Sequence, residues 1–329
     1  MTTEVSMSRP TLLITRRLPT SVLERLRARY EVTVNPDDRA LGREALLMAL
    51  RTYDALSPTI TDKLDAALLL NSGLKTRIIA NFGAGYEHID LEAAKSANLV
   101  VTNTPDALTD ATAELTLLLI LMTSRRAGEG ERLVRTGKWS GWAPTQLLGM
   151  DVKGKTLGLI GFGRIAREAA RRARLALGMR IAYYSRSRAS AEEESALGAE
   201  HHSTLESLLA ASDVVSLHCP GGTATHHLIN AQTLARMKPS AFLINTARGS
   251  VVDEEALATA LAQRQIAAAG LDVYEREPTV SPALRELENV VLLPHLGSAT
   301  LTARTAMGMQ MADNLDSFFS GGTPPNRIA

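Results

Sequence analysis

The sequence predicts an α/β fold in which parallel sheets are covered by helices, and three observations predict it. Short apolar runs alternate with amphipathic helical stretches along most of the chain, the pattern of strands joined by helical crossovers. That alternation comes in two sets, parted by a helical stretch and a Trp/Gly/Pro-rich connection, "GKWSGWAPTQLLGMDVKG". Finally, 329 residues are more than one compact core usually organises, so two domains are expected.

In the first set, the candidate strands are "TLLIT" (11–15), "EVTVN" (31–35), "ALS" (55–57), "TRIIA" (76–80) and "NLVVT" (98–102). Between them, "SVLERLRARY" and "REALLMALRTY" place apolar residues three and four apart, as one face of a helix requires. One long helix candidate follows, "DATAELTLLLILMTSRRAGEGERLVRTG", with hardly a breaker before Gly128. The second set contains "KTLGLI" (155–160), "RIAYY" (180–184), "DVVSL" (213–217), "AFLIN" (241–245), "IAAAGL" (266–271) and "NVVLLP" (289–294). Six strands with intervening helices suit a Rossmann-type sheet. The segment "ATLTARTAMGMQMADNLDSFF" reads as a closing helix.

The bulk numbers exclude several classes. With 45% apolar and 22% charged residues, the chain is an ordinary globular protein. A net charge of +1, from 36 basic and 35 acidic residues, gives no global field to attract nucleic acid or a membrane surface. The single cysteine, Cys219, rules out an intrachain disulfide or a cysteine-based zinc cluster and fits a reducing compartment. "MTTEVSMSRP" has no leader-like apolar run, and "LTLLLILM" (115–122) is far short of a bilayer span. A cytoplasmic protein is expected.

The glycine turn "LIGFGRIA" (159–166) stands between a strand and an arginine- and alanine-rich helix. Gly161 permits the tight turn, and Gly163 lets backbone approach a pyrophosphate at the helix N-terminus. Ala166 replaces the third glycine of the dinucleotide fingerprint, where a methyl group still packs closely. Seen alone, such a turn also fits a helix–strand contact without a ligand. About twenty residues on, where an acid would meet the ribose of NAD, stands "YYSRSR" (183–188). Arginines and hydroxyls there favour a 2′-phosphate, hence NADP; the competing reading is a solvated basic loop balanced by Glu192–Glu194. Three further stretches fall at C-terminal strand ends, and each offers one reactive side chain. They are "INTARGSVVDEEAL" with Arg248, "AGLDVYEREP" with Glu277 and "LLPHLGSAT" with His295.

With "NFGAGYEHID" and "GFGRIA", these stretches resemble, in order and over nearly the whole chain, the D-isomer-specific 2-hydroxyacid dehydrogenases. "GKWSGWAP" and "SRSR" are most similar to the glyoxylate/hydroxypyruvate reductases of that family. The resemblance implies a Rossmann domain, 103–291, inserted into a discontinuous flavodoxin-like substrate domain, 1–102 and 292–329, with catalysis in a hinged cleft. It implies NAD(P)H-dependent reduction of a small 2-keto acid, with NADP preferred, NAD possible and no metal. His295 would donate the proton, Glu277 would stabilise the charged imidazole, and Arg248 would clamp the keto acid. Cofactor contacts would come from Gly161, Phe162, Gly163, Arg164, Ile165, Ser185, Arg186, Ser187, His218, Pro220, Thr246, Ala247, Asp272 and Gly297. Ala84 and Gly85 would hold the substrate carboxylate through backbone N–H groups. Trp142 would reach the pocket of a second subunit, implying a homodimer.

Alternatives remain at this point. The residues around Leu56, Ser57 and Trp142 could admit a larger keto acid, such as 2-ketogluconate or an aromatic pyruvate. Corepressors that sense nucleotides share the fold and even the triad, although no extended tail or partner motif is present here. A formate-type dehydrogenase needs no proton donor, whereas Glu277 suits a histidine that carries one.

Overall fold

A computed structural model describes residues 9–329. The start of the stretch read for a leader, residues 1–8, lies outside the described residues. The chain forms two compact units, one of residues up to Leu108 together with Thr300–Ala329, the other of Thr109–Ala299. No helix among the described residues is long and apolar enough to cross a membrane.

The first unit is built on β1 (Thr11–Ile14), β2 (Glu31–Val34), β3 (Ala55–Ser57), β4 (Ile78–Ala80) and β5 (Val100–Thr102). They form one parallel sheet in the order β2-β1-β3-β4-β5. Central strands read "LLI", "ALS" and "IIA" rather than alternating because helices cover both faces. One face packs Leu13, Leu56, Ile79 and Val101, and the other Leu12, Ala55 and Ile78 against Met311 and Leu315 of the closing helix, Leu301–Phe319.

The second unit holds β6 (Thr156–Ile160), β7 (Arg180–Tyr184), β8 (Ala199–His201), β9 (Val214–Leu217), β10 (Phe242–Asn245), β11 (Ala268–Leu271) and β12 (Val290–Leu292). All are parallel, in the order β12-β11-β10-β9-β6-β7-β8. The order reverses between β6 and β9, so Gly161 and His218 leave adjacent strand ends at the switch point where such sheets bind ligands.

Two expectations need correction. The sheet has seven strands, not six: β8, "AEH", is a short polar edge strand with no apolar run to announce it. The long helix is two helices, Thr109–Ser124 and Ala127–Arg135. Arg126 takes a left-handed φ of 53° between them. There the Ser124 carbonyl accepts from the N–H of Met150, and Arg126 closes a bidentate ion pair with Glu129.

The unit boundaries also fall six to eight residues beyond those expected from the sequence, at 108/109 and 299/300. Segment 103–108 stays with the first unit because Asn103 and Thr104 hydrogen-bond to Asn326, Asn314 and Gly83. Segment 292–299 stays with the second because Leu293 and His295 donate to the carbonyls of Leu271 and Asp272.

Candidate functional site

The glycine turn is shaped by its neighbours. Gly161 has φ +86°, and a Cβ there would lie 2.9 Å from the backbone of His218 and Cys219, so only glycine fits against that loop. Gly163, the N-cap of helix Arg164–Leu177, has no side-chain cap, and no atom lies within 4 Å of a Cβ placed on it. An uncapped helix N-terminus under open space fits a pyrophosphate. The Phe162 side chain turns inward instead, stacked on Tyr183 with ring centroids 3.9 Å apart, which leaves its backbone in the turn. Arg164 is exposed and Ile165 half-buried. The His218 Nε2 lies 2.9 Å from Ser216 Oγ, and burial pushes the imidazole down to about 4, so it is uncharged near neutrality. Burial likewise raises the Cys219 thiol to about 11, away from the reactive thiolate. Pro220 next to it is exposed.

The basic loop divides in two. Arg188 makes a bidentate pair with Glu194 at 2.8 and 2.9 Å, and Tyr183 Oη donates to the same carboxylate at 2.6 Å. Arg188, then Tyr183, hold the Glu194 carboxyl down at about 2. One member of the acidic run, Glu194, therefore balances Arg188, as the competing reading of the loop supposed. Arg186 is exposed and has no ion pair among the described residues. Ser185 Oγ donates to the Ser187 carbonyl at 2.5 Å, shaping the turn between β7 and the next helix.

Arg248, Glu277 and His295 all belong to the second unit. His295 Nδ1 lies 2.8 Å from Glu277 Oε2, and Glu277 Oε1 accepts the N–H of Tyr274 at 3.0 Å. Burial raises the Glu277 carboxyl, but the His295 hydrogen bond and charge, the Tyr274 N–H and the Arg248 charge outweigh it, leaving the carboxyl below its usual range. Both side chains keep about a third of their surface exposed, 34% for His295 and 31% for Glu277, so the outer edge of the imidazole is accessible. The alternative acid, Glu275, faces elsewhere: its Oε1 is 2.9 Å from His227 Nε2.

Asn245 and Thr116 support the site without an individual sequence signal. Asn245 accepts the N–H of Ala247 and donates to the Arg248 carbonyl, which sets the turn carrying Arg248. Thr246 Oγ1 meets Thr116 Oγ1 at 3.1 Å. Asp272 was expected among the cofactor contacts. Here its buried carboxylate accepts from the N–H groups of Leu296 and Gly297, at 2.6 and 2.8 Å, while its carbonyl accepts from His295 N–H. It thus fixes the loop on which His295 adopts a left-handed φ of 55°.

In the first unit, Asn81 Nδ2 donates to the carbonyls of Gly83 and Gly85, and Asn103 Nδ2 to that of Ala84. The carbonyls are thereby turned inward, and the N–H groups of Ala84 and Gly85 donate no hydrogen bond among the described residues. That is the arrangement of a small anion nest. Trp142, in the connection before β6, is 81% exposed.

Comparison with known proteins places these features in one group. Residues 117–297 match the family described as "D-isomer specific 2-hydroxyacid dehydrogenase, NAD binding domain". A glyoxylate reductase of Thermococcus kodakarensis is 47% identical over 324 residues, 97% of this chain and 96% of the relative. An NADPH-dependent glyoxylate/hydroxypyruvate reductase from Sinorhizobium meliloti, solved in complex with NADP and malonate, is 37% identical. It superposes with a TM-score of 0.86, covering 98% of this chain and 97% of that one. The D-mandelate dehydrogenase of Rhodotorula graminis, solved in its holo form, is 31% identical with a TM-score of 0.86, covering 98% of each. By its match across the glycine turn and the Arg248, Glu277 and His295 loops, and by a likeness that extends over nearly its whole length, this chain belongs to the D-isomer specific 2-hydroxyacid dehydrogenase family.

Proposed function

We propose that this protein reduces a small 2-keto acid, glyoxylate or hydroxypyruvate, to the D-2-hydroxy acid with NADPH in preference to NADH. The observation that carries the reading is the 2.8 Å contact between His295 Nδ1 and Glu277 Oε2, in the unit that also bears Arg248. With Nδ1 held by the carboxylate, His295 keeps its Nε2 proton for the substrate carbonyl oxygen. Glu277 compensates the imidazolium charge before transfer and holds the Nδ1–H tautomer afterwards. Arg248 presents a planar guanidinium that can take carboxylate and carbonyl oxygen together. The N–H groups of Ala84 and Gly85 are the donors assigned to the carboxylate. A bound nicotinamide dinucleotide supplies the hydride.

The open space at Gly163 supports dinucleotide binding and gives a direct check. Gly163→Ala introduces no contact within the protein, so it should fold normally, yet its methyl group stands where the pyrophosphate must approach. The KM for NADPH and NADH should rise together, read from initial rates with each. An unchanged KM for both would remove the turn from the cofactor site.

NADPH preference rests on Arg186, the arginine that Glu194 does not engage. Arg186→Ala should weaken NADPH by roughly 10–100-fold, the loss of one charged hydrogen-bond pair, with NADH changed little. Arg188→Ala, which frees the loop anchor instead, should affect both cofactors alike. Equal losses for both cofactors in Arg186→Ala would overturn the assignment.

The decisive experiment is an activity matrix of glyoxylate, hydroxypyruvate, 2-ketogluconate and phenylpyruvate against NADPH and NADH. The likeness to a D-mandelate dehydrogenase favours larger keto acids as the second reading, which faster turnover of phenylpyruvate would select. No turnover with any keto acid would favour a nucleotide-sensing protein. A homodimer, in the cytoplasm, completes the proposal. Exposed Trp139, Trp142 and Leu148 in one connection supply apolar surface for a second copy, and sedimentation at working concentration tests it.

A further inference from the structure

The second unit carries another cluster of ionisable side chains that the proposed reaction does not use. His226, His227 and Glu275 each place a ligand atom so that all three lie within 4.8 Å of one another. His227 Nε2 is 2.9 Å from Glu275 Oε1, and the two imidazoles stack with centroids 3.9 Å apart and planes 27° apart. Ligand atoms around a tetrahedral zinc ion, at bonds of about 2.0–2.1 Å, are roughly 3.3 Å apart, so small side-chain rotations close this set around one ion.

The backbone beneath the cluster is fixed. His227 adopts a left-handed φ of 49°, unusual for a residue with a side chain, and is held there from both sides. Its N–H donates to the Ser250 carbonyl at 2.9 Å, and its carbonyl accepts from Asn230 Nδ2 at 2.9 Å. Glu275 N–H donates to Glu254 Oε1 at 2.6 Å. The donors therefore project from anchored loops, so little ordering is needed on binding.

We propose that His226, His227 and Glu275 form a binding site for one divalent transition-metal ion of the zinc class. Two imidazoles and one carboxylate favour Zn²⁺, Co²⁺ or Ni²⁺ over Mg²⁺ and Ca²⁺, which prefer an all-oxygen shell. The ion takes the place of the proton shared by His227 and Glu275, and three protein ligands leave a fourth position for water. His226 is exposed, which gives the ion a route from solvent. A filled site ties the His226–His227 loop to the segment that ends at Glu277, and stabilises the folded chain by an amount that grows with the logarithm of ion concentration above Kd. Neither dinucleotide nor keto acid takes part, so this proposal stands or falls independently of the proposed function.

The test is a titration of Co²⁺ into the metal-free full-length protein, followed by its visible absorption and by equilibrium dialysis, then repeated with Zn²⁺. One equivalent should bind, with the strong visible bands of a low-coordinate cobalt site. His226→Ala and Glu275→Gln should each weaken binding by at least about tenfold, since even residues behind metal ligands are worth 10–100-fold. His295→Asn, which leaves all three ligands in place, should bind as the parent does. The proposal is overturned by absence of saturable binding below millimolar ion, or by parental affinity in either ligand variant. It is also overturned if Glu275→Gln retains the ion while His295→Asn loses it, which would place the metal at the Glu277–His295 pair.

Discussion

His295→Asn is expected to lower kcat by roughly 10²–10⁴-fold, the usual weight of a positioned proton donor, while leaving the protein folded and able to bind dinucleotide. Asparagine is the informative replacement for two reasons. It tolerates the left-handed φ of 55° at this position better than most residues. Its amide can also donate to Glu277 Oε2, as Nδ1 does now at 2.8 Å, so the local hydrogen bond survives. What disappears is the proton on Nε2. Steady-state rates at saturating keto acid, with melting temperature and dinucleotide affinity as controls, separate the chemical role from a structural one. A variant within about tenfold of the parent kcat would remove His295 as the proton donor.

How much of this was legible in the sequence depends on what each residue is constrained by. Gly161 was readable because its positive φ and the crowding backbone of His218 and Cys219 admit no side chain, so the constraint is written as glycine. Buried parallel strands were readable because both faces demand apolar residues; β8, polar and at an edge, carries no such demand. The break at Arg126 could not be read locally, because the residue that takes up the Ser124 carbonyl is Met150, far along the chain. Long-range side-chain pairing hid the rest. Arg186 and Arg188 look equivalent in "SRSR", yet Glu194 occupies only Arg188. Glu275 and Glu277 look equivalent in "YEREP", yet one faces His227 and the other His295. Asp272 stood out as a cofactor contact, but not as the residue that also accepts the backbone N–H groups positioning the histidine loop.

The same interdependence makes Gly249 a sensitive position, although it contacts neither cofactor nor substrate in the proposed reaction. A Cβ at Gly249 would lie 1.8 Å from the carbonyl carbon of Tyr274, 2.0 Å from its oxygen and 2.3 Å from the nitrogen of Glu275. These are backbone atoms, so no rotamer change relieves the overlap, and the Tyr274–Glu277 segment must move. That segment is tied at both ends: Tyr274 Oη donates to the Leu293 carbonyl at 2.8 Å, and Glu277 Oε2 lies 2.8 Å from His295 Nδ1. Gly249→Ala should therefore cost about 3 kcal/mol, the upper end for overpacking a well-filled site, measured by urea unfolding. Below its melting temperature it should lose about 10²-fold in kcat, because a shift of about an ångström suffices to misplace catalytic groups. Dinucleotide affinity should fall far less than kcat, since the glycine turn at β6 is not on the displaced segment, while Thr246 and Ala247, expected cofactor contacts, stand just before Gly249 in the chain. Gly163→Ala should give the opposite pattern, near-parental stability with impaired cofactor binding. If Gly249→Ala instead matches the parent within about 0.5 kcal/mol and retains its kcat, Tyr274–Glu277 is not the rigid support on which the Glu277–His295 pair depends.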